Sequence, residues 1–373
     1  MRKKVLILGI GSSQVDAILY CKEHGHEVFS LGYSKDGQGL LYADHFELID
    51  IVDKLKVLEY ARAHEVDLVF SIGSDIAMPT IGFVSERLGT PSFVSEETAQ
   101  LCHNKGLMRE FLKDHNISSL EFSVASSLQE LAKWNIFPAV IKPVDSQGQR
   151  GVFEVSDPSD FPKIFPPSLI CSRSKRVIVE RFIKGCEISL NAFVMNGSVV
   201  YSFISDRKTV KGLPFGIAKA HIIPSSLDEV FLLKAKLLVQ KAVTAIGIQN
   251  GPVYAQMKCT PEGEIFIIEL APRLDGCHIW RLIKFKYGVD LLELSFRLLE
   301  KGLEISPEYF NHSEPQSNGS LRLEFFLQNP NSSFRKTNQG EEGILYREWY
   351  YNEGKIVRPI NKKAEKVGYQ IKR

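Results

Sequence analysis

The chain opens with a short, wholly apolar run, VLILGIG at 5–11, which suits a strand buried on both faces. Residues 12–23 read as a helix, EVFSLGY (27–33) as a second strand and FELIDI (46–51) as a third. KLKVLEYARAHEV follows as a helix, DLVFSIGSD as a strand, and DIAMPTIGFVSERLG as a helix that Gly89 should stop. Strand–helix alternation with short links predicts a doubly wound, Rossmann-like α/β unit on a parallel sheet.

The pattern changes after residue 95. Ser95 before Glu96 and Glu97 reads as a capped helix start, and a second helix is expected over roughly 105–115. SVASSLQELAKWNI is a polar strand-to-helix passage, and FPAVIKPVDSQGQRGVFEV reads as two strands around a polar loop. VIVERFIKGCEISLNAFVMNGSVVYSFISDR alternates like antiparallel strands, with Asn196-Gly197 as a hairpin turn. Residues 229–246 form a long amphipathic pattern, GPVYAQMKCTPEGEIFIIELAPR a hairpin through PEG, and VDLLELSFRLLEKG a helix ended by Gly302. The stretch 120–270 is therefore α+β, with mostly antiparallel sheets. The expected division is an α/β domain over 1–95, an α+β region over 96–310 with a smaller subdomain near 118–182, and a β-rich segment over 311–373 packed on it. NHSEPQSNGS (311–320) is linker-like, and KGLPFGIAKAH (211–221) reads as a mobile strand pair.

Composition narrows the classes. The 373 residues carry a net charge of +2, but residues 355–373 hold seven basic residues against one acidic. The remainder has 39 basic and 43 acidic residues, so there is no broad basic surface for nucleic acid. Apolar residues interleave with the tail's charges, as in a packed final strand. No run approaches the ~20 apolar residues of a membrane helix. The six scattered cysteines form no zinc spacing, which fits reduced thiols in the cytoplasm.

Four stretches carry candidate chemistry. Lys105 stands at a helix start. Lys142 ends a strand beside SQGQRG (146–151), whose backbone can close on an anion. Glu180 and Glu187 stand seven residues apart. Gln256 and Glu269 lie on the two arms of one hairpin, able to offer oxygens to one magnesium, with Arg273 behind them as a planar grip for phosphate or carboxylate. Each alone is uninformative: most lysines are solvated, and exposed carboxylates are common on antiparallel sheets. GIGSSQ lacks the third glycine of a dinucleotide loop, and no acidic residue ends the second strand, which disfavours a nicotinamide enzyme. The turn is either purely structural or a small-anion site.

Taken in order, the four stretches resemble the ATP-grasp superfamily. NKGLMREFLKDHNI (104–117) is similar to the helix with the first nucleotide-contacting lysine, Lys105, and AVIKPVDSQGQRGV (139–152) to the second, Lys142, with its phosphate flap. VERFIKGCEISL (179–190) resembles the adenine hinge, and GPVYAQMKCTPEGEIFIIELAPR (251–273) the metal hairpin of the carbamoyl phosphate synthetase large subunit. IELAPR also resembles the N5-carboxyaminoimidazole ribonucleotide synthetases. The resemblance implies ATP with magnesium, or manganese in its place. It implies nucleotide contacts from Lys105, Lys142, Ser146, Gly148, Arg150, Gly151, Glu180, Arg181, Phe182, Ile183 and Glu187, the last on ribose. It implies metal ligation by Gln256 and Glu269 and catalytic roles for Lys142 and Arg273.

The family usually has asparagine two residues after the metal glutamate. Ala271 stands there, with Asp275 as a candidate substitute. Arg207, His221, His278, Trp280 and Arg281 occupy stretches suited to the acceptor pocket, with His278 as a catalytic candidate and Arg273 and Arg281 as carboxylate grips. The implied reaction is an ADP-forming carboxylate–amine ligation through an acylphosphate, the first choice being amino-acid ligation. The alternatives are a bicarbonate-using carboxylase and a nucleotide-binding protein without turnover, which Ala271 would fit. Partners are small molecules and, by analogy, a second copy in a homodimer.

Overall fold

A computed structural model describes residues 2–210, 216–302, 318–337, 342–360 and 364–373. β1 (Lys4–Leu8), α1 (Ser12–Glu23), β2 (Glu27–Leu31), β3 (His45–Glu47), α2 (Lys54–Ala63), β4 (Leu68–Phe70) and α3 (Met78–Leu88) alternate as the apolar pattern dictates. Their strands form a parallel sheet in the order β3-β2-β1-β4. Val5 to Leu8 have no solvent exposure, which is why the run lacks polar alternation. α3 ends at Gly89, whose φ of +69° is the left-handed stop.

α4 (Glu96–His103) and α5 (Lys105–Asp114) bridge to the rest of the chain. The Ser95 hydroxyl accepts from Thr98 N, and the Asn104 side-chain Oδ1 from Gly106 N and Leu107 N. The second cap fixes Lys105 as the first residue of α5. A lid sheet follows: β5 (Phe122–Ala125), α6 (Leu128–Leu131), β6 (Ala139–Pro143), β7 (Phe153–Val155), α7 (Phe161–Ile170) and β8 (Val177–Arg181), antiparallel in the order β5-β8-β6-β7.

β9 (Cys186–Met195) and β10 (Ser198–Thr209) turn through Asn196-Gly197, both at positive φ. β11 (Ala218–Ile223), α8 (Glu229–Ile246), β12 (Gly251–Cys259), β13 (Ile265–Ala271), α9 (Ile279–Tyr287), α10 (Leu291–Lys301), β14 (Leu321–Gln328), β15 (Ile344–Trp349) and β16 (Glu365–Lys372) complete the chain. The large sheet has eight strands ordered β13-β12-β9-β10-β11-β14-β16-β15. The C-terminal strands extend this sheet, since β14 pairs with β11. Residues 211–215 and 311–317, parts of the expected strand pair and linker, lie outside the described residues.

One close approach joins the first unit to the large sheet. A Cβ on Gly73 would lie 2.4 Å from the Gly276 Cα, and its φ is +64°. Gly73 N donates to Leu274 O at 3.2 Å, and the Ser13 hydroxyl to Gly276 O at 3.1 Å. The loop after β4 is thereby seated on the loop after β13.

Candidate active site

A cavity of about 440 Å³ lies between the lid sheet, the large sheet and the loop after β4. Lys105, Lys142, Ser146, Gly148, Arg150, Gln256, Glu269 and Arg273 all line it. α5 delivers Lys105, and β6 delivers Lys142 from the lid. The loop after β6 bends back over the opening. Lys105 Nζ donates to Ser146 O at 2.7 Å, Asp75 N donates to the Gln147 side chain at 2.8 Å, and Gln149 Nε2 donates to Gly216 O. Gly148 and Gly151 both have positive φ, and Gly151 packs on Pro143 and Cys171 instead of lining the cavity.

Lys142 is buried beside Glu180 of β8 at 2.7 Å, and Arg109 Nε lies 2.7 Å from the other carboxylate oxygen. Burial brings Lys142 down to about 8 against the pull of Glu180. Burial alone would raise Glu180, but Arg109 and Lys142 outweigh it and bring the carboxyl to about 2. Glu180 is therefore ionised near neutrality and serves as counter-ion to Lys142 and Arg109. Arg109 also donates to the carbonyls of Ile267 and Ile268 and so ties α5 to β13. Sequence reasoning missed this residue. Its signal is the i, i+4 spacing from Lys105 on one helix face.

The hinge is more committed than expected. Arg181 N donates to Glu121 O and Phe182 N to Pro138 O, both at the lid edge, while Lys258 Nζ donates to Ile183 O. Among the described residues Ile183 N has no acceptor, which leaves it as the hinge N–H open to a base edge. Glu187 meets Arg207, Gln256 Nε2 at 3.1 Å and Lys258 at 3.6 Å, so an incoming hydroxyl would share it with three donors.

Gln256 and Glu269 are direct cross-strand partners on β12 and β13. Arg273 grips Asp75 through Nε at 2.7 Å and through NH2, and reaches Glu269 at 3.3 Å. Burial raises the Glu269 carboxyl, and the Asp75 charge adds to it. Asp75 follows β4, a place where parallel sheets present ligand groups, but nothing in its local sequence announces a partner 198 residues away.

The residues present fit a magnesium ion. Glu269 is a half-buried carboxylate next to a second one, Gln256 keeps an oxygen free, and Arg273 is already engaged by Asp75. No three His, Cys, Asp or Glu side chains converge as a protein-only cage among the described residues, which suits an ion that retains water and phosphate oxygens. Ala271 is buried opposite Tyr254. Asp275 lines the cavity and caps Cys277 N and Ile279 N through one oxygen, while the other has no partner. Burial raises its carboxyl above the usual range.

His278 does not reach the cavity, contrary to the catalytic expectation. It is 2% exposed, its Nδ1 meets Asp16 at 2.7 Å and its Nε2 meets the Tyr350 hydroxyl at 2.8 Å. Its ring stacks on Tyr369, so both nitrogens are spent on holding α1 and the β15 end to the start of α9. Arg281, expected to grip substrate, is bound to Asp16 at 2.6 Å and faces a separate cleft with Trp280. His221 is wholly buried against Ser205. Arg207 alone of that group lines the cavity.

Residues 135–280 match the ATP-grasp domain family. Over 342 residues, 85% of this chain and 78% of the relative, the sequence is 28% identical to the L-arginine-specific L-amino acid ligase of Bacillus subtilis. It is 22% identical over 388 residues to the carbamoyl phosphate synthase large chain of Pseudothermotoga lettingae, covering 97% of this chain and 33% of that one. The crystal structure of an L-amino acid ligase from Bacillus licheniformis superposes over 100% of this chain and 93% of its own with a TM-score of 0.82 at 20% identity. With the antiparallel lid, the large sheet and the shared cavity around it, residues 135–280 form an ATP-grasp domain.

Proposed function

We propose that the protein joins a small carboxylate, an amino acid, to an amine at the expense of ATP, releasing ADP and phosphate. The observation that supports this most is the convergence of Lys105, Lys142, Arg150, Gln256, Glu269 and Arg273 on one cavity. Adenine is held at the hinge, with Ile183 N as its donor. Lys142 meets the phosphate chain from the lid. Lys105 and the 146–151 loop cover it. Gln256 and Glu269 would hold magnesium, which neutralises charge on the transferring phosphoryl group.

The substrate carboxylate oxygen attacks the γ-phosphorus, the bond to the bridging oxygen of ADP breaks, and an acylphosphate forms. The amine nitrogen then attacks the acyl carbon, the carbon–oxygen bond to phosphate breaks, and the nitrogen gives up a proton. The chain contributes alignment and charge neutralisation. Arg273 is held by Asp75 in a fixed orientation and offers its charge beside Glu269. The proposed setting is the cytoplasm, which fits six free cysteines. Among the described residues no helix is long and apolar enough to cross a membrane.

Protein supplied with ATP, magnesium and a pool of L-amino acids should release ADP and phosphate in equal amounts, with a ligated product visible by mass. Release of AMP would overturn the reading. Tight ATP binding with no release for any acceptor would favour a binder without turnover.

A further inference from the structure

The same cavity reaches from Lys105 and Lys142 to β16. Its floor is the large sheet, where β16 stands five strand steps from β12. At ~4.8 Å per step that is roughly 24 Å of sheet. Cys277, Tyr350 and Lys366 line the part of the wall formed by the loop after β13, the end of β15 and β16.

The wall cations divide into two groups. Lys142, Arg181, Arg207, Lys258 and Arg273 each meet a carboxylate. Among the described residues Lys105, Arg150 and Lys366 meet none within 4.0 Å. Two of these three belong to the helix start and flap that would cover phosphate. The third stands on β16, beside the loop after β13. Lys366 Nζ donates to Cys277 Sγ at 3.3 Å and lies 3.5 Å from the Phe325 ring centroid, so it is fixed in place without its charge being answered. The neighbouring His221 is held neutral chiefly by burial, with the positive charges of Arg207 and Lys366 adding to it.

We propose that Lys366 binds the free carboxylate of the amine-bearing substrate, so that the acceptor is an α-amino acid or peptide with a free C-terminus. This rests on the ligase reading. In such a ligation one carboxylate is consumed as acylphosphate beside Glu269 and Arg273. The carboxylate that survives is the acceptor's, and it lies on the far side of the attacking nitrogen. Cys277, four residues past Arg273, stands between the two anchors and touches the second. Polyamines and ammonia lack the group that Lys366 would recognise.

The test compares each L-amino acid acceptor with its C-terminal carboxamide, using the whole enzyme with ATP and magnesium. The free acid should be favoured by roughly tenfold to a hundredfold in kcat/KM, the worth of one charged hydrogen bond. Lys366→Met should remove that preference by raising KM for the free acid, leaving the KM for ATP and the use of the carboxamide unchanged, and Lys366→Arg should restore it. Equal use of acid and amide by the parent enzyme, or a Lys366→Met loss shared equally by both, overturns the proposal.

A second readout does not need turnover. Cys277, partly buried and lining the cavity, should be alkylated by iodoacetamide, followed by the mass of its peptide, and free amino acids should protect it where carboxamides do not. Protection without any ADP release would sink the ligase reading and keep Lys366 as a carboxylate site. ADP release with no protection by any free acid would do the reverse.

Discussion

The lid-and-hairpin half of the cavity and the far half on β16 are built by opposite means. In the first half most cations are braced by a carboxylate, Lys105 and Arg150 excepted: Lys142 and Arg109 by Glu180, Arg273 by Asp75 and Glu269, Arg207 and Lys258 by Glu187. In the second half Lys366 leans on a thiol and a ring. ATP and its ion bring fixed charges in a fixed geometry, and a rigid, preorganised frame suits them. In the proposed reading the acceptor is met by few groups, near the β15 end of the sheet.

The comparison breaks first at the metal hairpin. Glu269→Ala should lower turnover about a thousandfold or more, the several kcal/mol that a bound divalent ion contributes, with circular dichroism unchanged. Normal ADP release by that variant would move the metal elsewhere. Glu180→Leu attacks the bracing itself, because it leaves Arg109 and Lys142 buried without an anion. Urea unfolding should show a loss of about 3–5 kcal/mol, and a neutral result would show that water reaches the triad. Gly73→Ala should cost about 1–3 kcal/mol, since the new methyl meets Gly276 at a positive φ, and should also weaken ATP binding by shifting Asp75. Unaltered melting and binding would mean that the two loops part easily.

The smallest effect is a pH limb. Lys142 must be charged to hold phosphate, and burial places its titration in the free enzyme at about 8. Because a lysine loses its charge as pH rises, kcat/KM for ATP should fall about tenfold per unit above that value. The limb in kcat should lie higher, since bound phosphate favours the ammonium. A flat profile to pH 10 would show that Glu180 holds the proton on unaided.

Most of the first half was legible in the sequence because strand pairing is local. Gln256 and Glu269 face each other through a short turn, Lys142 ends the strand that leads into its own glycine loop, and Asn104 places Lys105 by capping its helix. What was not legible depends on contacts across the fold. Asp75 reaches Arg273 from the loop after β4, 198 residues away, and Lys366 meets Cys277 only after β16 has joined the sheet. His278 shows the opposite error. A histidine near a phosphate grip looks catalytic in one dimension, yet a left-handed φ at the start of α9 accompanies a ring turned toward Asp16 and Tyr350.

The central claim is that one cavity carries the γ-phosphate of ATP to a carboxylate. Phosphorus NMR of the phosphate released from a pool of amino acids labelled with ¹⁸O in the carboxyl group tests it most directly. Transfer through an acylphosphate predicts phosphate carrying one labelled oxygen from the substrate. Phosphate free of label, released together with ligated product, would contradict the account.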